Sequence, residues 1–208
     1  MNLIKSTGTF SFYTIISRLL GYLRSILIAL FFGGSPFTDA FFVAFRIPNT
    51  FRRLFSEGTF NAAFVPSYSS LLTNKKTSQK FANNIFNLLL IGLLFLVFLI
   101  EIMMPLFVFL IAPGFDEDYQ KMELAVTLTR ITLPFLMFIS LASFFSAILN
   151  SHNKFAIASA APIILNILLI GVLLLGKILN DQLVYYLSYA VTISGILQFI
   201  FLYFFVKK

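Results

Sequence analysis

Hydrophobic positions along this chain run in long stretches, broken by short segments rich in Gly, Pro, Asn, Ser and charge: FGGSP, TNKKTSQK, APGFDEDYQK, NSHNKF and GKILNDQ. Those are turn compositions. A bilayer-spanning helix needs about 20 mostly apolar residues, and stretches of that kind lie near 11–32, 38–72, 82–111, 121–150, 155–177 and 184–206. The pattern predicts an all-α, polytopic membrane bundle with six transmembrane helices over residues 1–208, either one compact bundle or one half of something larger.

Composition agrees: 59% of the 208 residues are hydrophobic and 11% charged, with a mean hydropathy of +0.94. Soluble domains average about 45–50% apolar. With no cysteine and one histidine, disulfides and thiolate metal sites are excluded, and a histidine-based metal centre or catalytic triad is disfavoured. No nucleophile–base pair is evident either, so the chain reads as a non-enzyme without metal or cofactor. Any ion or membrane-potential coupling stays open. The net charge of +7 comes from dispersed Lys and Arg rather than a basic stripe, which points to an anionic ligand or lipid, not nucleic acid.

Lysine placement orients the spans. With the N-terminus cytoplasmic, the inside segments carry Lys5, Lys75, Lys76, Lys80, Lys154, Lys207 and Lys208, and the outside loops only Lys121 and Lys177, beside Asp116, Glu117, Asp118, Glu123 and Asp181. The positive-inside rule then puts both ends of the chain in the cytoplasm. Arg18 and Arg24 interrupt the first span and no small-residue cleavage site follows it, so it does not read as a signal peptide.

The charges within the spans matter more: Arg18, Arg24, Arg46, Arg52, Arg53, Glu57, Glu101 and Arg130. Counting inward from Gly33 at about 1.5 Å per residue, Arg24 lies roughly 13 Å deep in a hydrocarbon layer about 30 Å thick. A central arginine facing lipid costs about 2.5–3.5 kcal/mol. Several would consume a normal stability margin of about 5–15 kcal/mol, so these arginines are expected to face a hydrated cavity. Snorkelling is the alternative, strongest for Arg18.

At about 1.5 Å per residue, the 38–72 stretch as one straight helix would reach about 52 Å, more than a bilayer. Pro48, followed by Asn49, predicts a break within RIPNT, and broken helices at membrane depth line water or ligand sites. A plain proline kink is the simpler alternative. Arg53 and Glu57 are spaced for an ion pair, leaving Arg46 and Arg52 freer. Asp39 reads either as a partner of the helix dipole in the first turn or as a site residue. Glu101 and Arg130 lie at similar depth on either side of APGFDEDYQ, predicting an ion pair between neighbouring antiparallel helices. Glu101 as a cavity proton or cation site is the alternative.

MNLIKS, SRLLGYLRS, TDAFFVAFRIPNTFRRLFSEGTFNAAFVP, APGF, ITLPFLMFISLASFFSAILN and APIILN resemble, in order and spacing, the amino-terminal half of the MurJ (MviN) lipid II flippases, of the multidrug/oligosaccharidyl-lipid/polysaccharide exporter superfamily. The resemblance implies one lobe of a two-lobed transporter with a cationic central cavity. Such a transporter moves the undecaprenyl-pyrophosphate-linked peptidoglycan precursor across the bacterial inner membrane by alternating access. It implies that Arg18, Arg24, Asp39 and Arg52 are transport residues, with Asn49, Arg53 and Glu57 supporting them; Arg46 stays unassigned. Ser25 stands where the family often has an acid, which puts charge pairing there in doubt. The expected partners are the lipid-linked precursor, membrane lipids and a carboxy-terminal lobe missing from this chain. A fragment of a longer protein is favoured over a self-associating half. Other functions to weigh are a drug or polysaccharide-lipid exporter of the same superfamily and a non-transporting membrane scaffold.

Overall fold

In a computed structural model describing residues 3–56, 59–179 and 182–207, the chain is helical nearly throughout. Helix α1 (Leu3–Phe32) stops at Gly33, whose φ of +58° suits a residue without a Cβ. Ser35 opens α2 (Pro36–Ser56): its hydroxyl accepts from the Thr38 amide at 3.4 Å. Then come α3 (Thr59–Ser70) and α4 (Lys75–Ile102), the latter capped by Asn74, which accepts from the Lys76 and Thr77 amides. Pro105 starts a new helix, α5 (Met104–Ile111), so the predicted third span is two helices. A 3₁₀ turn (Pro113–Phe115) precedes α6 (Tyr119–Ser151), which Asp118 caps. The rest is α7 (Phe155–Leu174), the short α8 (Gly176–Leu179) and α9 (Leu183–Lys207).

Five of these helices are long and apolar enough to cross a membrane: α1 from Gly8, α4, α6, α7 and α9. This is a multi-pass membrane protein. Helix α2 is outside that set because Asp39, Arg46, Arg52 and Arg53 all fall within its 21 residues.

Contrary to expectation, α2 is not broken near Pro48. It runs through the proline to Ser56. Proline cannot donate to the carbonyl four residues back, Ala44, and a buried carbonyl left unpaired is costly. Here Thr132 of α6 donates its hydroxyl to the Ala44 carbonyl at 2.9 Å, so the vacant acceptor is satisfied from a neighbouring helix. A related contact lies near Pro134, where the Thr192 hydroxyl of α9 donates to the Ile131 carbonyl of α6 at 2.5 Å. Thr132→Val, nearly isosteric, is expected to cost about 1–3 kcal/mol by leaving the Ala44 carbonyl unpaired, read as a lower unfolding temperature in detergent. Thr132→Ser should retain most of the stability.

Helix α6 is the central pillar, apolar on nearly every side, with Leu128, Leu133, Phe135, Leu136, Phe144 and Leu149 fully buried. Apart from the Thr132 bond to Ala44, buried hydroxyls on α6 bond to carbonyls of the same helix, as Thr129 does to Ala125 and Ser140 to Leu136. On α9, Gly195 lets α6 approach: a Cβ there would sit 2.7 Å from the Phe135 ring. The main packing runs α2 on α6, α6 on α9, α9 on α7 and α7 on α1. Between α1 and α2 the ring closes only lightly, and α1 leaves Phe12, Ile15, Leu19 and Tyr22 exposed. The two helices richest in candidate site residues therefore flank the loosest seam.

Candidate functional site

Arg24 is held from two sides. Its Nη1 donates to Asn166 Oδ1 of α7 at 3.0 Å, and its guanidinium carbon lies 5.9 Å from the ring centre of Phe45 on α2. Asn166 is itself fixed, since its Nδ2 donates to the Ser17 carbonyl of α1 at 3.0 Å. One amide thus bridges the α1 backbone and the arginine. An aromatic face favours a desolvated cation. The result is a half-buried, oriented guanidinium with donors beyond the one that Asn166 takes.

Arg52 is oriented within its own helix: Nε donates to Asn49 Oδ1, three residues earlier, at 3.1 Å. It borders a small cleft with Ser143 and Ser146 of α6 and Gln198 of α9. Arg46 and Arg53, seven apart, share an exposed face, and the Arg46 carbonyl accepts from Thr50 at 2.8 Å. Arg18 is exposed on α1. Glu57, and with it the Arg53–Glu57 pairing, lies outside the described residues.

Asp39 is in the first turn of α2, but the hydroxyl cap there is Ser35. Its Oδ2 instead meets Lys121 Nζ at the start of α6, 2.6 Å away. Lys121 also lies 4.3 Å from the Phe115 ring centre. This pair ties the entrance of α2 to that of α6, a role that the position of Lys121 in a charged loop does not reveal. Glu101 and Arg130 approach one another between α4 and α6, Oε1 to Nε, at 3.3 Å. If the pair is structural, reversing either charge alone should destabilise the chain, at about 2.5–3.5 kcal/mol per uncompensated mid-span charge. The double exchange should recover the loss; a double variant no better than the singles would assign Glu101 another role.

Asn166 was not a candidate in the sequence. A lone amide in APIILNILLI was the available signal, since a buried polar side chain in an apolar helix needs a partner. Among the described residues, no group of three or more His, Cys, Asp or Glu is placed to hold a metal ion.

The chain is similar to known proteins in sequence and in fold. The chain is 39% identical over 210 residues to a probable lipid II flippase MurJ of Rickettsia prowazekii (strain Madrid E), covering 100% of this chain and 41% of that protein. It is 38% identical over 202 residues to a lipid II flippase MurJ of Burkholderia cenocepacia, covering 96% and 39%. A solved structure of a lipid II flippase MurJ in an inward closed conformation superposes with a TM-score of 0.80 at 33% identity, over 92% of this chain and 40% of that one. The chain spans about two-fifths of the length of these relatives. Residues 28–208 match the family model described as lipid II flippase MurJ, and the chain belongs to that family.

Proposed function

We propose that this chain supplies the amino-terminal, cation-bearing part of a flippase that carries lipid II, the lipid-linked peptidoglycan precursor, across the bacterial inner membrane. One observation carries this: Arg24 is held at mid-span by Asn166 and Phe45 at the lightly packed seam between α1 and α2. A lipid-facing arginine at that depth would be costly, whereas one on a hydrated route is an oriented donor for oxyanions. The precursor offers a pyrophosphate and acidic peptide groups, and its polyprenyl tail can stay in lipid while the head passes.

In this reading Arg24 and Arg52 engage the anionic head group, and Arg18 adds a further cation on the exposed face of α1. Asp39, through Lys121, sets the separation of α2 and α6 at one end of the route. Asn49 and Arg53 support α2, and Arg46 has no assigned role. Transport makes and breaks no bond, so no catalytic residue is required. Both ends of the chain face the cytoplasm, as the lysine distribution favours. A remaining lobe would complete the cavity and permit alternating access. An excess of arginine over acid in α1 and α2 disfavours a drug-cation exporter, whose cavity would be acidic.

The test is translocation by full-length protein in proteoliposomes, comparing a fluorescent lipid-linked precursor with a lipophilic cation. Movement of the precursor alone is expected. Movement of the cation alone would reject the proposal.

A further inference from the structure

A second cleft lies away from the α1–α2 seam. With a volume of about 740 Å³, it opens between α3, α4, α6 and α9, and no residue of α1 or α2 lines it. Its lining divides sharply. Lys75, His152, Lys154 and Lys207 sit where helices begin or end, and none of the lining residues is acidic. Deeper in are Phe86, Phe145 and Tyr203. Phe86 stacks on Phe145 with centroids 5.7 Å apart, and Phe145 meets Tyr203 at 5.5 Å.

The spacing fits a bilayer boundary. At about 1.5 Å per residue, Phe86 lies roughly 16 Å beyond Lys75 along α4, and Phe145 roughly 10 Å from His152 along α6. Ammonium groups therefore occupy head-group level and aromatic rings acyl level. Lys154 Nζ donates to the Phe205 carbonyl near the end of α9 at 3.4 Å, which holds it near the mouth with donors to spare.

We propose that this cleft binds an anionic phospholipid, its phosphate among Lys75, Lys154 and Lys207 and its acyl chain against Phe86, Phe145 and Tyr203. Charge complementarity selects an anionic head group, and the aromatic wall selects a lipid over a soluble anion. Basic pockets between transmembrane helices on the cytoplasmic side are suited to such head groups. The site requires insertion in the proposed orientation but no transport, so it is tested by binding alone.

The experiment is native mass spectrometry of detergent-solubilised full-length protein containing this chain, titrated with phosphatidylglycerol, with phosphatidylcholine of the same acyl chains, and with inorganic phosphate. Phosphatidylglycerol should be retained, the choline lipid at least about tenfold more weakly, and phosphate not at all. The triple variant Lys75→Gln, Lys154→Gln, Lys207→Gln should weaken phosphatidylglycerol binding by about 100-fold, on the order of fivefold per lysine. The double variant Lys76→Gln, Lys80→Gln, which removes exposed lysines that do not line the cleft, should leave binding unchanged. Equal retention of the two lipids, equal loss in both variants, or lysine-dependent binding of phosphate alone would each overturn the proposal.

Discussion

Alanine at both Arg24 and Arg52, in a full-length protein containing this chain, is expected to lower precursor translocation by at least about 100-fold, since a hydrogen bond to a charged group contributes about 1.5–3 kcal/mol and 1.4 kcal/mol is a factor of ten. Either single substitution should cost roughly 10–100-fold on the same scale. Lysine is not expected to rescue Arg24. One of its guanidinium nitrogens is already committed to Asn166, and an ammonium on a flexible stem cannot make that bond while presenting a planar fork to a pyrophosphate. Lysine at Arg52 has the corresponding defect, because Nε is the atom held by Asn49. Precursor accessibility in proteoliposomes, normalised to reconstituted protein, measures both. Undiminished translocation with alanine at both positions would remove the arginines from the mechanism.

Asn166→Leu should destabilise the chain by about 1–3 kcal/mol, because it leaves a half-buried guanidinium without the acceptor that Asn166 supplies. Thermal unfolding in detergent reads that loss. It should also lower transport beyond what the residual folded fraction explains, since Arg24 would no longer be aimed. A double-mutant cycle separates the two effects. If Asn166 acts by positioning Arg24, Asn166→Ala and Arg24→Ala should be non-additive in translocation by about 1–2 kcal/mol. Additive effects would make Asn166 a packing residue only.

Apolar run length was a good guide to the long helices. The predicted spans 121–150 and 184–206 overlap α6 and α9 closely, because in both the apolar run ends where a polar turn begins. It was a poor guide where proline intervened. Pro105 divides the third stretch into α4 and α5, yet Pro48 does not divide α2. The two prolines look alike in sequence. Pro105 stands in the first turn of a new helix, whereas Pro48 lies inside α2, where the Ala44 carbonyl it leaves vacant is met by Thr132, 84 residues away.

The same limit applies to the site. Depth counting could mark Arg24, Arg52, Glu101 and Arg130 as costly, since burial of charge in hydrocarbon depends mainly on distance along the helix. It could not name Asn166, Phe45 or Lys121 as the groups that meet Arg24 and Asp39, because those contacts join α1 to α7, α1 to α2 and α2 to α6.

By itself, then, the sequence determined that this is a multi-pass helical membrane protein with arginines set among apolar stretches, through hydropathy and charge placement along the chain. Tertiary structure alone decided which helices adjoin, that α2 stays continuous through Pro48, and which way the guanidinium of Arg24 points. The reason is physical. Crossing a membrane is decided by each segment's exchange with lipid and water, whereas a polar group inside the bundle takes its partner from whatever packing brings within about 3 Å.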